Sequence, residues 1–184
     1  LEFSNLDLRD FNYEIKKLFP INSKFNIFET YTEIWAEIIN ICLISFLYSN
    51  DNSQVYLYYL YNFLIYEREF SIFQFEKILY YNNLTYKDLL KKENNYRENT
   101  NIFAYYILKT LFMKNINEFI EWCFYNNINY FNFKKDKKSL DLFFKFIKKI
   151  FNKTKFLSEN NFNLLFKNKN SFILKNLRMT AIEI

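Results

Sequence analysis

The chain has 184 residues, of which 51% are hydrophobic and 23% aromatic, and its formal net charge is +5. This length fits one domain with a substantial core, and so high an apolar content excludes an intrinsically disordered protein. The sequence contains no histidine and no glycine, which excludes a Ser-His-Asp triad and a glycine-rich phosphate loop built from these residues alone.

Helical periodicity dominates from end to end, so the sequence predicts an all-α fold, an irregular bundle of about eight helices in a single domain, 1–184. A short helix, 5–18, ends before Pro20, and a long helix follows from about 27 to 48. Further helices are predicted over 54–66, 71–81, 85–91, 100–114, 115–126 and 139–152, with shorter ones within 158–167 and 171–177. Ser71 and Ser139 are the expected N-caps of two of these helices. The expected inner face of the 139–152 helix is apolar and consists of Phe143, Phe144, Ile147 and Ile150. Because glycine is absent, we expect asparagine to take the positions of positive φ, and the asparagine pairs at 82–83, 94–95, 126–127 and 160–161 are the expected markers of turns and helix ends.

Membrane and secretion signals are not predicted. The most apolar stretches, 38–48 and 55–66, are shorter than the roughly 20 residues that span a bilayer, and no signal peptide is visible. Cys42 and Cys123 are isolated and match neither metal-site nor disulfide spacing. We therefore expect an intracellular protein in a reducing compartment. Because the chain opens with Leu1 rather than methionine, we also expect it to be the C-terminal part of a longer polypeptide.

Charge is distributed unevenly along the chain. Residues 1–133 have a net charge of −4, whereas the basic C-terminal region, 134–184, has a net charge of +9. Such a region can contact nucleic acid or another anionic partner. Solvated, lysine-rich helices encoded by an AT-rich genome are the simpler interpretation, because Arg178 is the region's sole arginine and arginine is the better phosphate ligand. We expect no nucleic-acid partner, and a non-catalytic, all-α interaction module with a basic C-terminal surface is the alternative function.

The long helix predicted over 27–48 carries three carboxylates on one face. Glu29, Glu33 and Glu37 stand at i, i+4 and i+8, and this helix contains no lysine or arginine to offset them. Two interpretations follow. The face is either a solvated acidic surface of a core-packed helix, or two of the carboxylates point at a cation from elsewhere, such as a metal ion.

Four segments of the sequence carry the pattern of one protein family. They are 18–24, 28–40, 101–106 and 177–184, and they read LFPINSK, FETYTEIWAEIIN, NIFAYY and LRMTAIEI. Together they resemble zinc-metallopeptidase-like proteins of giant nucleocytoplasmic DNA viruses, whose genomes also suit the AT-rich composition. In this class a His-Glu-x-x-His helix supplies two zinc ligands and the general base, and a later glutamate completes the site.

The resemblance implies a role for two of the three carboxylates. Glu29 corresponds to the third zinc ligand, and Glu33 to the acidic residue that hydrogen-bonds a histidine ligand. Glu37 has no assigned role, and we expect it to be solvated. The His-Glu-x-x-His helix would lie upstream of Leu1, so this chain would hold no catalytic residue of its own. The resemblance therefore implies the helical C-terminal subdomain of a zincin, a zinc cofactor, a peptide substrate, and a partner in the upstream part of the same polypeptide.

Overall fold

The computed structural model describes residues 7–154 and 172–182, and these residues form helices and loops. The helices are α1 (Arg9–Leu18), α2 (Ile27–Ser49), α3 (Ser53–Tyr81), α4 (Tyr86–Leu89), a π-helix (Phe103–Leu108) that continues into α5 (Lys109–Lys114), α6 (Ile116–Asn126), α7 (Lys137–Lys153) and α8 (Phe172–Lys175). The predicted all-α, multi-helix fold is confirmed, with a helix count close to eight. The helices predicted within 158–167 lie outside the described residues.

The core is built around α2 and packed largely with aromatic rings. Tyr31 is fully buried, and its ring lies 5.7 Å from that of Phe119 and 6.0 Å from that of Phe143 in edge-to-face contacts. Phe112 joins the same cluster, 5.4 Å from Phe119. Because edge-to-face aromatic pairs add stability beyond the area they bury, this cluster fixes α2 against α5, α6 and α7.

The connection between α2 and α3 is a tight turn with two consecutive residues of positive φ. Asn50 has φ 47° and Asp51 has φ 61°, and Asn52 then caps α3 by accepting from the backbone N–H groups of its first turn. Asn83, after α3, has φ 54°. Asparagine and aspartate tolerate this region better than other side chains, so the expectation for a glycine-free chain is confirmed at Asn83. It is wrong for the pairs at 94–95 and 126–127, neither of which has a residue of positive φ, and the pair at 160–161 lies outside the described residues.

The two helices predicted over 54–66 and 71–81 are one continuous helix, α3, and the prediction of a break between them is wrong. Ser71 was expected to cap the second helix, but it is buried within α3 and its carbonyl accepts a hydrogen bond from the Thr110 hydroxyl at 2.9 Å. Glu67 is also fully buried at this point. Contacts with other elements therefore hold the helix together where the sequence pattern suggested an interruption.

By length and composition, α2 qualifies as a membrane span, with a mean hydropathy of 1.2 over an 18-residue window. A span was not predicted here, because the uninterrupted apolar stretches of the sequence are shorter than α2. In the structure 44% of that window is buried, and core helices of soluble proteins pass the same test. The expected intracellular location without a membrane span therefore stays a prediction.

The basic helix α7 packs through one face and exposes its lysines on the other. Phe143, Ile147 and Ile150 are buried, in agreement with the predicted inner face. The helix begins earlier than predicted, because Asp136 rather than Ser139 is its N-cap and accepts from the Ser139 N–H at 2.7 Å. Residues 134–153 therefore form a solvated basic surface over an apolar core face.

Candidate functional site

The acidic face of α2 places its first carboxylate against the start of the π-helix. Glu29 lies in the first turn of α2, which Asn26 caps by accepting from the Phe28 N–H at 3.1 Å. The half-buried Glu29 carboxylate accepts a hydrogen bond from the Asn101 side-chain amide at 2.8 Å. Burial and the nearby Glu29 raise the pKa of the Tyr105 phenol. Glu29 is therefore held in a defined orientation beside two polar groups of 101–105.

The π-helix beside Glu29 is tied to its neighbours through its own carbonyl groups. The Thr30 hydroxyl donates to the Ala104 carbonyl at 2.8 Å, and the Thr110 hydroxyl donates to the Tyr106 carbonyl at 2.7 Å. Helices of this type are rare and often occur at functional sites, because a widened turn displaces side chains from their usual register. Here the widened turn presents Tyr105 toward Glu29.

The second carboxylate of the face borders a surface depression. Glu33 is half-buried, and together with Glu37 and Asn40 it lines one side of a cavity of about 420 Å³. The opposite side is formed by Met179, Thr180 and Ile182. The C-terminal segment, residues 176–182, therefore lies alongside the acidic face of α2, an arrangement that the sequence analysis did not predict.

The third carboxylate, Glu37, is buried, and the expectation that it is solvated is wrong. Its exposed fraction is 3%, and its Oε2 lies 2.5 Å from the Lys109 ammonium nitrogen. Lys109 is itself 2% exposed and also donates to the Met179 carbonyl. The predicted acidic face therefore divides into two partly accessible carboxylates, Glu29 and Glu33, and one that is paired inside the protein.

A second buried glutamate, Glu67 of α3, binds the C-terminal segment directly. Its carboxylate accepts from the Ala181 N–H at 2.9 Å, from the Ile182 N–H at 2.8 Å, and from the Thr180 hydroxyl. Further hydrogen bonds join Asn40 to the Ile182 carbonyl at 3.1 Å, Lys77 to the Asn176 carbonyl at 2.7 Å, and Tyr81 to the Leu174 carbonyl at 3.1 Å. Polar groups of α2, α3 and α5 thus hold this segment in place.

Burial changes the protonation chemistry of this cluster. Loss of solvent raises the pKa of Glu37 to about 7; Lys109 opposes the rise, and the adjacent Glu67 adds to it. A carboxyl group that titrates near neutral pH has the property required of a general acid or base. Apart from the Glu37–Lys109 pair, the hydrogen bonds of Glu67 and Lys109 go to the backbone of the C-terminal segment and to its Thr180 hydroxyl, so the contacts of the cluster are those of a structural anchor.

Within residues 7–154 and 172–182, no three His, Cys, Asp or Glu side chains are grouped closely enough to hold a metal ion. Glu29 fits the role of a single ligand, because a neighbouring amide orients its carboxylate, as hydrogen bonds commonly orient metal-binding carboxylates. The other ligands would come from elsewhere.

Comparison with protein-family models, curated proteins and solved structures gives no match. The zinc assignment therefore depends on the sequence resemblance and on the geometry around Glu29.

Proposed function

We propose that this chain is the helical subdomain of a zinc-dependent, metallopeptidase-like protein in which Glu29 is the third metal ligand. Glu33 would hydrogen-bond a histidine ligand one helical turn away. Both histidines and the general base would come from the upstream part of the same polypeptide, and the substrate would be a peptide. Bound zinc would polarise a water molecule and the scissile carbonyl, while the residues of this chain would orient the metal.

The observation that carries this proposal is the separation of Glu29 and Glu33 from Glu37. Glu37 is neutralised by Lys109, whereas Glu29 and Glu33 have no lysine or arginine partner among the described residues. Both remain partly accessible one turn apart on α2. A pair of uncompensated, partly desolvated carboxylates favours a cation from outside this chain.

The test uses the polypeptide extended upstream of Leu1, with zinc content measured after dialysis. We expect about one zinc per chain in the wild type and loss of that zinc in Glu29→Ala. Glu33→Gln should retain the site with affinity reduced by about 10- to 100-fold, the usual effect of losing a hydrogen-bond partner of a ligand. Glu121→Ala, an exposed glutamate on α6, is the matched control. Wild-type zinc affinity in Glu29→Ala would refute the assignment.

A second function, the non-catalytic interaction module, is favoured by the basic surface of α7. Lys145, Lys148 and Lys149 are exposed on the side opposite its buried face. Fluorescence anisotropy with labelled RNA and DNA, at low and at raised salt, tests this function directly. Binding that weakens steeply as salt is added would support it, because neutralised phosphates release counterions. Absence of binding at low salt would refute nucleic acid as the partner of this module.

A further inference from the structure

The half of the α2–α3 hairpin nearest its turn is almost without charge yet widely exposed. Across residues 38–66 the sequence contains one charged side chain, Asp51. Large side chains on both helices have exposed fractions between 53% and 66%, namely Leu43, Phe46, Leu47, Leu57, Tyr58 and Tyr61. Helices that are apolar around most of their circumference normally lie in a core, an interface or a membrane.

An apolar groove runs along the same part of α2. Its volume is about 500 Å³, and its lining includes the half-buried Cys42 and the ring of Trp35. Leu43 and Phe46 of α2 also line the groove, as do Ile120 of α6 and Phe131 of the loop that follows α6. The Phe131 ring packs 4.7 Å from the Trp35 ring, which holds Phe131 against the core. The groove is large enough to take several apolar side chains from another helix.

We propose that this surface, the hairpin half at 38–66 together with its groove, is where two copies of the chain associate. A two-fold interface requires one patch that offers both a ridge and a groove, and here the exposed Leu43 and Phe46 line the groove. The side chains that line the groove and are 44% to 57% exposed present on the order of 500 Å² of surface per copy, namely Ile39, Leu43, Phe46, Tyr130 and Phe131. Two copies would then bury about 1,000 Å² in total, the lower bound for a specific interface.

Charge distribution favours a second copy over a membrane. The turn that would enter a bilayer first, Asn50–Asp51–Asn52, is polar and exposed, and burying it in hydrocarbon is costly. No lysine or arginine occurs from residue 25 to residue 67 to contact anionic headgroups. A charged protein would find no opposite charges on this surface to pair with, whereas a second copy would present a surface that is equally uncharged and apolar.

Multi-angle light scattering over a range of concentrations tests this proposal. We expect the wild type to reach twice the chain mass of 22.9 kDa, and Leu43→Glu to remain monomeric with unchanged helical circular dichroism. The dimer dissociation constant should rise at least about tenfold, because the new charge would be buried against an apolar groove. Tyr13→Glu, at an aromatic position on α1 that is 64% exposed against 53% for Leu43, should still dimerise.

Two outcomes would overturn the proposal: a monomeric wild type at every concentration, or an unchanged dimer in Leu43→Glu. A monomer that instead co-sediments with phosphatidylcholine vesicles would assign the surface to a membrane. Zinc content plays no part in this test, so its failure leaves the proposed metal site unaffected.

The thiols provide an independent readout of the same surface. Cys42 lies in the groove, whereas Cys123 is fully buried in the core and serves as an internal reference. Maleimide should modify Cys42 more slowly in the wild-type dimer than in Leu43→Glu, and it should leave Cys123 unmodified in both native proteins. Equal Cys42 rates in the dimeric wild type and in Leu43→Glu would show that the dimer forms elsewhere, and would refute this surface as its interface.

Discussion

At the scale of single residues, Glu37 shows how burial alters a carboxylate. Its nearest cation, Lys109, is as buried as Glu37 itself, so both groups have given up their hydration to pair. Desolvation of a buried ion pair commonly offsets much of its Coulombic gain. The pKa of Glu37 is raised because burial costs the neutral, protonated carboxyl group less hydration free energy than it costs the charged carboxylate.

The raised pKa of Glu37 predicts a pH-dependent stability. Its folded pKa is about 7 and its ordinary value is 4.5, so between these pH values the folded chain holds a proton that the unfolded chain has released. This contribution to the free energy of unfolding is therefore fully present below pH 4.5 and is lost as the pH rises toward 7.

Urea unfolding at a series of pH values tests the prediction for Glu37. We expect Glu37→Gln to flatten the decline in stability between pH 4.5 and 7, since glutamine does not titrate. Some decline should remain, because burial also raises the pKa of Glu76 to about 7. Glu121→Gln, at an exposed position, should keep the wild-type slope. An identical slope in Glu37→Gln would contradict the prediction.

Gln74 is a second residue whose burial has a measurable consequence. It is 1% exposed, and neither its amide nitrogen nor its amide oxygen has a hydrogen-bond partner among the described residues. A buried amide without partners costs about 1–3 kcal/mol relative to a satisfied one. We expect Gln74→Met, which keeps the length of the side chain, to raise the free energy of unfolding by about that amount. Gln54→Met, at the exposed start of α3, should change it by less than about 0.5 kcal/mol.

Chemical denaturation of the two methionine variants, compared with the wild type, provides the measurement. A loss of stability in Gln74→Met would mean that its amide makes favourable interactions in the folded protein.

At the scale of elements, α3 links the core to the C-terminal segment. The Glu67 carboxylate binds two successive backbone N–H groups, those of Ala181 and Ile182, in the way that a helix N-cap residue binds its first turn. The 176–182 segment contains no regular structure to satisfy these groups internally. Its position over α2 and α5 therefore depends on side chains from other elements.

Loss of the Glu67 carboxylate should release this segment without unfolding the bundle. In Glu67→Ala we expect amide hydrogen exchange of a peptide covering 176–182 to accelerate at least about tenfold, because two charge-assisted hydrogen bonds are lost. Exchange within α6 should change little. Glu69→Ala, an exposed neighbour on α3, is the matched control and should leave the segment protected. Unchanged exchange in Glu67→Ala would assign the anchoring to Lys77, Lys109 and Asn40.

At the scale of the whole molecule, three surfaces of different character lie on one helical framework. Accessible carboxylates at Glu29 and Glu33 favour a cation, the lysines of α7 favour an anion, and the α2–α3 hairpin favours an apolar partner. Dimerisation through the hairpin would make the melting temperature of the wild type rise with protein concentration, by mass action. The melting temperature of Leu43→Glu should be independent of concentration.

The sequence by itself determined the helical class, the start of α2 near Ile27, and the use of Asn83 at positive φ. These features depend on residues close together in the chain, through the helical period and local backbone preference. The sequence also predicted that Glu29, Glu33 and Glu37 share one face of α2, but their regular i, i+4 spacing does not indicate which of them is buried or paired.

Only the tertiary structure separated the three glutamates, because the residues that distinguish them are remote in sequence. Lys109 lies 72 residues from Glu37, and Asn101 lies 72 residues from Glu29. The same limit explains the missed continuity of α3, whose middle is stabilised by Thr110 and by the C-terminal segment. Periodicity shows which side chains share a face of a helix, whereas the other elements packed against that face decide which of them are buried and paired.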